Sequence, residues 1–160
     1  SAASDVYKRQ EQRLINSYII DLKKIRKKIG QHIGTQTQLR HPLLLDDGSI
    51  IVSVVGGINP LLKLDKCGNY VTHNSDEEFH HSLERDSKGN IFSPIKIKNE
   101  IYQSDDGFVI LDEELKIKDK FSLADIFREN LMINDAINMA SHLNDVQPLE
   151  KEDEKLTDSS

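Results

Sequence analysis

The sequence predicts an all-β chain: a partial β-propeller of about three blades of four-stranded antiparallel sheet, with an N-terminal helix and one helical insertion. Three observations carry this. Short apolar runs alternate with tight turns from residue 43 onward. Turn landmarks recur in the same order, Gly48 and Gly89 at an offset of 41 residues, Leu64-Asp65 and Leu111-Asp112 at an offset of 47. Four short strands every roughly 40–50 residues is the period of a propeller blade. One such sheet cannot cover both of its faces, so blades stack around an axis. A β-sandwich also has many short strands, but the matched order of turns favours the propeller.

The elements follow in chain order. Asp5-Val6-Tyr7-Lys8-Arg9-Gln10 reads as the translation of a transposon adapter used in sequencing libraries, so residues 1–10 are set apart from the fold as an artefact. Residues 11–34 form an N-terminal helical segment: Leu14, Ile15, Tyr18, Ile19, Leu22, Ile25 and Ile29 recur at three- and four-residue steps, and Gly30 ends the helix. Residues 35–149 carry the repeats. Leu43-Leu44-Leu45, the turn Asp46-Asp47-Gly48 and the strand Ser49–Val55 make a hairpin. Leu61–Asp65, a turn at Lys66–Asn69 and Tyr70-Val71-Thr72 complete the first copy. The second copy runs from Ser82–Arg85 through the turn Asp86–Asn90 to Ile91-Phe92, then Gly107–Asp112 and Leu115–Ile117. Ser122 caps an inserted helix through Leu123, Ala124, Ile126, Phe127 and Leu131, with Asp125 at the capping-box position. Such insertions sit over one face of a propeller. Residues 150–160 are a polar tail or a truncated loop.

Composition narrows the function. Apolar residues make up 37% and charged residues 30% of 160, the balance of a soluble globular domain. The net charge of −6 argues against nucleic acid, whose phosphates need a basic face. Lys23, Lys24, Arg26, Lys27 and Lys28 form the one basic cluster, read as the solvated side of the helix. Cys67 is the single cysteine, so neither an internal disulfide nor a cysteine metal site can form. No run reaches the roughly 18 apolar residues that span a bilayer. Zinc-binding histidine spacings, a nucleophile elbow and a phosphate loop are absent from the sequence; no cofactor and no metal are expected.

Histidines are the candidates for chemistry. His41 precedes the first hairpin, His80-His81 precede the second at the corresponding place, and His142-Leu143-Asn144 opens a third copy. Opening strands converge on the axis of a propeller, so these side chains are expected to gather at one mouth of the channel. If Leu143 lies in a strand, His142 and Asn144 share a face, and the rings of His81 and His142 fall within about 10 Å in a small pocket.

His80-His81-Ser82-Leu83-Glu84 before Lys88-Gly89-Asn90-Ile91 resembles the double-histidine element of the arylsulfotransferase family, the kind that does not use the nucleotide sulfate donor. His142-Leu143-Asn144-Asp145-Val146 is similar to that family's H-x-N element, and His41-Pro42-Leu43-Leu44-Leu45-Asp46-Asp47-Gly48-Ser49 to an early blade of a bacterial branch. The resemblance covers about residues 35 to 149. It implies a six-bladed propeller that moves a sulfuryl group from a phenolic ester to a phenol through a sulfohistidine. Its partners would be an aryl sulfate and a phenol, with a periplasmic or membrane-anchored location; a homo-oligomer is compatible with it. It carries His81, His142 and Asn144 over as catalytic residues. His80 and His41 are the candidate substrate-binding histidines. Ser82 stands where the family commonly has an acid, and the family's nucleophilic histidine and arginine belong to later blades. The piece is therefore read as a fragment of the enzyme. The alternative is a non-catalytic propeller that binds a ligand or protein partner. About three blades form an open arc, with exposed faces and edges expected at both ends.

Overall fold

The structure, a computed structural model, describes residues 20–30, 38–55, 59–97, 105–130 and 143–149. The chain is all-β, and its described residues form two antiparallel sheets and two short helices. After helix α1 (Leu22–Ile29) come β1 (Gln38–Leu44), β2 (Ile50–Val55), β3 (Leu61–Leu64) and β4 (Tyr70–Asn74), which form the first sheet in chain order. The second sheet holds β5 (Glu78–Phe79), β6 (Glu84–Arg85), β7 (Ile91–Ile97), β8 (Asp105–Leu111) and β9 (Ile117–Ser122). Both β5 and β6 pair with β7, so they are one strand position broken in two.

The turns make the two sheets equivalent. Leu45 N–H donates to the Ser49 carbonyl, and the same bond joins Asp65 to Asn69, Asp86 to Asn90 and Asp112 to Lys116. In the last three turns the Asp side chain accepts from the backbone N–H groups two and four residues on, at 2.8–2.9 Å. The residue before the last of each turn is left-handed: Gly48, Gly68 and Gly89, and in the fourth turn Leu115 at φ 63°. The glycine and Leu-Asp landmarks thus fall at matching places in successive antiparallel sheets, as the sequence predicts.

Pro94 explains why β5 and β6 separate. Its carbonyl accepts from His80 N–H at 3.2 Å, so the side of β7 on which proline lacks a donor faces the same strand. Residues 81–83 leave the ladder there, and His81 turns left-handed at φ 59°. The first sheet has the matching irregularity between Arg40 and Leu43, with His41 at φ 51°.

The sheets stack through their apolar faces. Leu45, Ile51 and Leu61 pack with Phe79, Leu83, Ile91, Ile95, Val109, Leu111 and Leu115. Asn74 also donates its side-chain amide to the Leu115 carbonyl across the interface at 2.8 Å. At the turn end, Arg85 bridges Asp46 at 2.9 Å and Glu113 at 2.5 Å, and buried Lys63 reaches Glu114 at 2.8 Å. The other face of the first sheet carries Val52, Val54, Leu62 and Leu64, and α1 covers it with Ile25 and Ile29. Strands β2 and β3 are therefore buried on both sides, and they read as mainly apolar runs broken by Ser53 and Lys63.

At the repeat offsets Val54, Leu62 and Leu64 correspond to Ile95, Val109 and Leu111, the face of the second sheet that meets the first. Helix α1 thus stands where a preceding sheet would stand, and the expectation of an exposed face at this end is corrected. Its lysines 23, 24, 27 and 28 are exposed on the opposite side, the solvated face expected of them. The helix begins at Leu22, with Asp21 accepting from the Lys23 and Lys24 N–H groups; the expected turns at Leu14–Ile19 lie outside the described residues. The inserted helix, α2 (Leu123–Glu129), is present and capped by Ser122, whose Oγ accepts from Asp125 N–H at 3.1 Å. Two of the expected sheets fall within the described residues; Leu143–Leu149 carries no strand. Among the described residues no helix is long and apolar enough to cross a membrane.

Candidate functional site

Three of the candidate histidines meet where β1 of the first sheet approaches the β5–β6 break of the second. The His41 and His81 ring centroids lie 6.5 Å apart with planes at 63°. The His80 and His81 centroids lie 4.7 Å apart at 80°, an edge-to-face contact. The two bulges bring them together. Both His41 and His81 lie within an opening strand position rather than ahead of it, and the left-handed backbone at each turns the chain locally out of the ladder. Histidine is among the residues that tolerate this conformation better than most.

The three differ in exposure: His80 is buried, His81 half-buried and His41 exposed. Burial holds the His80 pKa below the ordinary histidine value; Asp106 works against that shift, and a charged His81 would add to it. His80 Nε2 lies 3.8 Å from Asp106 Oδ1, too far for a hydrogen bond but close enough for the charges to interact. Asp106 is 3% exposed, and its other oxygen accepts the Leu143 N–H at 2.6 Å. One residue on, the Asn144 carbonyl faces the Ser82 N–H at 3.4 Å.

The backbone of Leu143 and Asn144 therefore lies beside the double histidine. Asn144 is exposed there, and His142 lies outside the described residues. The argument that His142 and Asn144 share a strand face does not apply at Leu143–Asn144, because that stretch is not a strand. His73, on the outer strand β4, is elsewhere, with its Nδ1 2.8 Å from the Tyr70 hydroxyl. A cleft of about 260 Å³ lies between α1 and the β3–β4 turn, lined by Lys24, Lys28, Asn69 and Tyr70, and does not include the histidine cluster.

Asp106 is the residue that sequence reasoning missed. A signal was present: strand alternation places it on the face of Phe108 and Ile110, where an acid is unusual. Chemically, the cluster offers imidazoles in two settings. One is pushed toward its neutral form by burial, and two are within reach of solvent, where they can donate to an anion or attack an electrophile. In comparisons with family models, with curated proteins and with solved structures, nothing matches this chain.

Proposed function

We propose that the chain is part of an aryl sulfate sulfotransferase, with the sulfuryl group of a phenolic ester held at the cluster of His41, His80 and His81. The observation that supports this reading most is the convergence of three separate stretches, residues 41, 80–81 and 143–144, on one place. A sulfuryl group in transfer spreads negative charge over its equatorial oxygens. Charged imidazoles and an asparagine amide donate to such oxygens, and removing one preorganised donor typically costs roughly 10²–10³ in rate. A neutral imidazole attacks sulfur, the phenolate leaves, and the sulfohistidine passes its sulfuryl group to a second phenol. In this proposal His81, His142 and Asn144 surround the sulfuryl oxygens, His41 and His80 complete the binding site, and the nucleophile comes from a later blade of the longer protein.

The test is transfer from 4-nitrophenyl sulfate to phenol by the protein encoded by the uninterrupted reading frame. His142→Ala and Asn144→Ala should each slow 4-nitrophenolate release by roughly 10²-fold or more. Near-normal turnover in both removes them from the mechanism.

A second reading draws on the matching left-handed backbone at His41 and His81. A residue type chosen for bulge geometry needs no catalysis, and the same face would then bind a ligand or protein partner without transfer. Saturable binding of the aryl sulfate with no phenol-dependent turnover would select it.

A further inference from the structure

We propose that Asp106 is a positioning residue, whose carboxylate fastens the Leu143–Asn144 stretch beside the double histidine. The proposal rests on the histidine cluster being the sulfuryl site. Asp106 sits on β8 opposite Lys96 of β7, in a sheet whose other face is the apolar core. A carboxylate at 3% exposure is costly unless its oxygens are engaged. One oxygen accepts the Leu143 N–H at 2.6 Å, across 37 residues of sequence, with the short length of a charge-assisted bond. The other lies 3.8 Å from His80 Nε2.

The second tether, Ser82 N–H to the Asn144 carbonyl, lies on the far side of His80-His81 in the chain. Two contacts thus bracket the double histidine and fix the backbone of two consecutive residues against it. Residue 144 is the asparagine that the proposed mechanism needs as a donor, and a shift of about 1 Å in such a group costs roughly 10²-fold in rate. Asp106 acts through Leu143, not on the substrate.

The experiment uses the whole chain with Asp106→Leu, close in shape and unable to accept, and Asp106→Asn, which keeps one acceptor oxygen. Amide hydrogen exchange at Leu143 should quicken by roughly 10- to 100-fold in Asp106→Leu, and by less in Asp106→Asn. Amides of Ile95 and Val109 should keep their protection. The 4-nitrophenyl sulfate affinity should weaken roughly tenfold or more in Asp106→Leu, with partial rescue in Asp106→Asn. If Asp106→Leu does not fold, the Asn variant alone decides, through the Leu143 amide and the His80 and His81 ring resonances, both of which should move. Unchanged Leu143 exchange overturns the proposal, and so does faster exchange with unaltered affinity. Absence of aryl sulfate binding by the parent chain sinks the functional reading instead, and leaves the Leu143 amide to judge the tether.

Discussion

His41 and His81 occupy the same left-handed bulge in successive sheets, and their rings stand 6.5 Å apart. A left-handed residue other than glycine costs roughly 1–2 kcal/mol. His41→Gly and His81→Gly should therefore leave stability within about 1 kcal/mol of the parent, while His41→Val and His81→Val should each lose about 1–2 kcal/mol, because a β-branched residue fits that backbone worst. Urea unfolding reads the difference. Equal costs for glycine and valine would show that the bulges carry no such constraint.

Gly107 tests the β8–β9 pairing. A Cβ there would press on the Phe121 carbonyl and on Ile97 Cδ1, backbone on one side and a packed side chain on the other. Gly107→Ala should destabilise by about 1–3 kcal/mol, the usual range for overpacking, and should loosen the stacked Phe108–Phe121 pair, whose centroids are 4.8 Å apart. Loss of exchange protection along β9 ahead of the rest of the sheet is the expected signature. Wild-type stability in this variant would contradict the register.

The cap formed by α1 makes a separate prediction. Ile29 is 7% exposed against Val52, Val54, Leu62 and Leu64. Ile29→Asp buries an unpaired charge and removes an apolar side chain worth about 1.5–3 kcal/mol. The amides of Val52 and Val54 should lose protection before those of Ile91 and Ile95. Uniform loss across both sheets would show instead that the helix is not a local cap.

Acid should weaken the fold in two stages. Burial lowers the His80 pKa from its ordinary 6.5. Between the lowered value and 6.5 the unfolded chain binds more protons than the folded one, so stability rises with pH. This contribution is fully present above 6.5 and is lost as pH falls through the folded value, at no more than about 1.4 kcal/mol per pH unit. The Asp47 and Asp65 carboxyls lie below their ordinary 3.8, held there first by side-chain hydrogen bonds from Ser49 and Asn69. Their contribution is present above 3.8 and disappears below it. In His80→Gln the first stage should vanish and the second remain, as followed by urea midpoints across pH. A first stage that persists would assign it to another group.

The repeat was legible because turns need specific residues. Asp65-Lys66-Cys67-Gly68-Asn69 and Asp86-Ser87-Lys88-Gly89-Asn90 show their acid, glycine and asparagine openly, and each makes the same bonds. The fourth turn was harder to see, since Leu115 takes the left-handed place while serving the core at 2% exposure. The meeting of His41 with His81 was legible only as an expectation: it depends on two bulges and on sheet stacking, and one bulge follows from Pro94. The role of Asp106 depends on a partner 37 residues away and had no local signature beyond an acid on an apolar face. The covering of the first sheet by α1 went unread, because periodicity shows that a helix has an apolar face and not what that face meets.

The central claim is that His41, His80 and His81 form one site for an aryl sulfate. Titration of the whole chain with 4-nitrophenyl sulfate, followed through the nitrogen-correlated ring resonances of the histidines, tests it most directly. The His41 and His81 signals should move together along one saturation curve, while His73, hydrogen-bonded to Tyr70 on the outer strand, stays in place. No movement at His41 and His81, or movement of His73 to the same degree, would contradict the account.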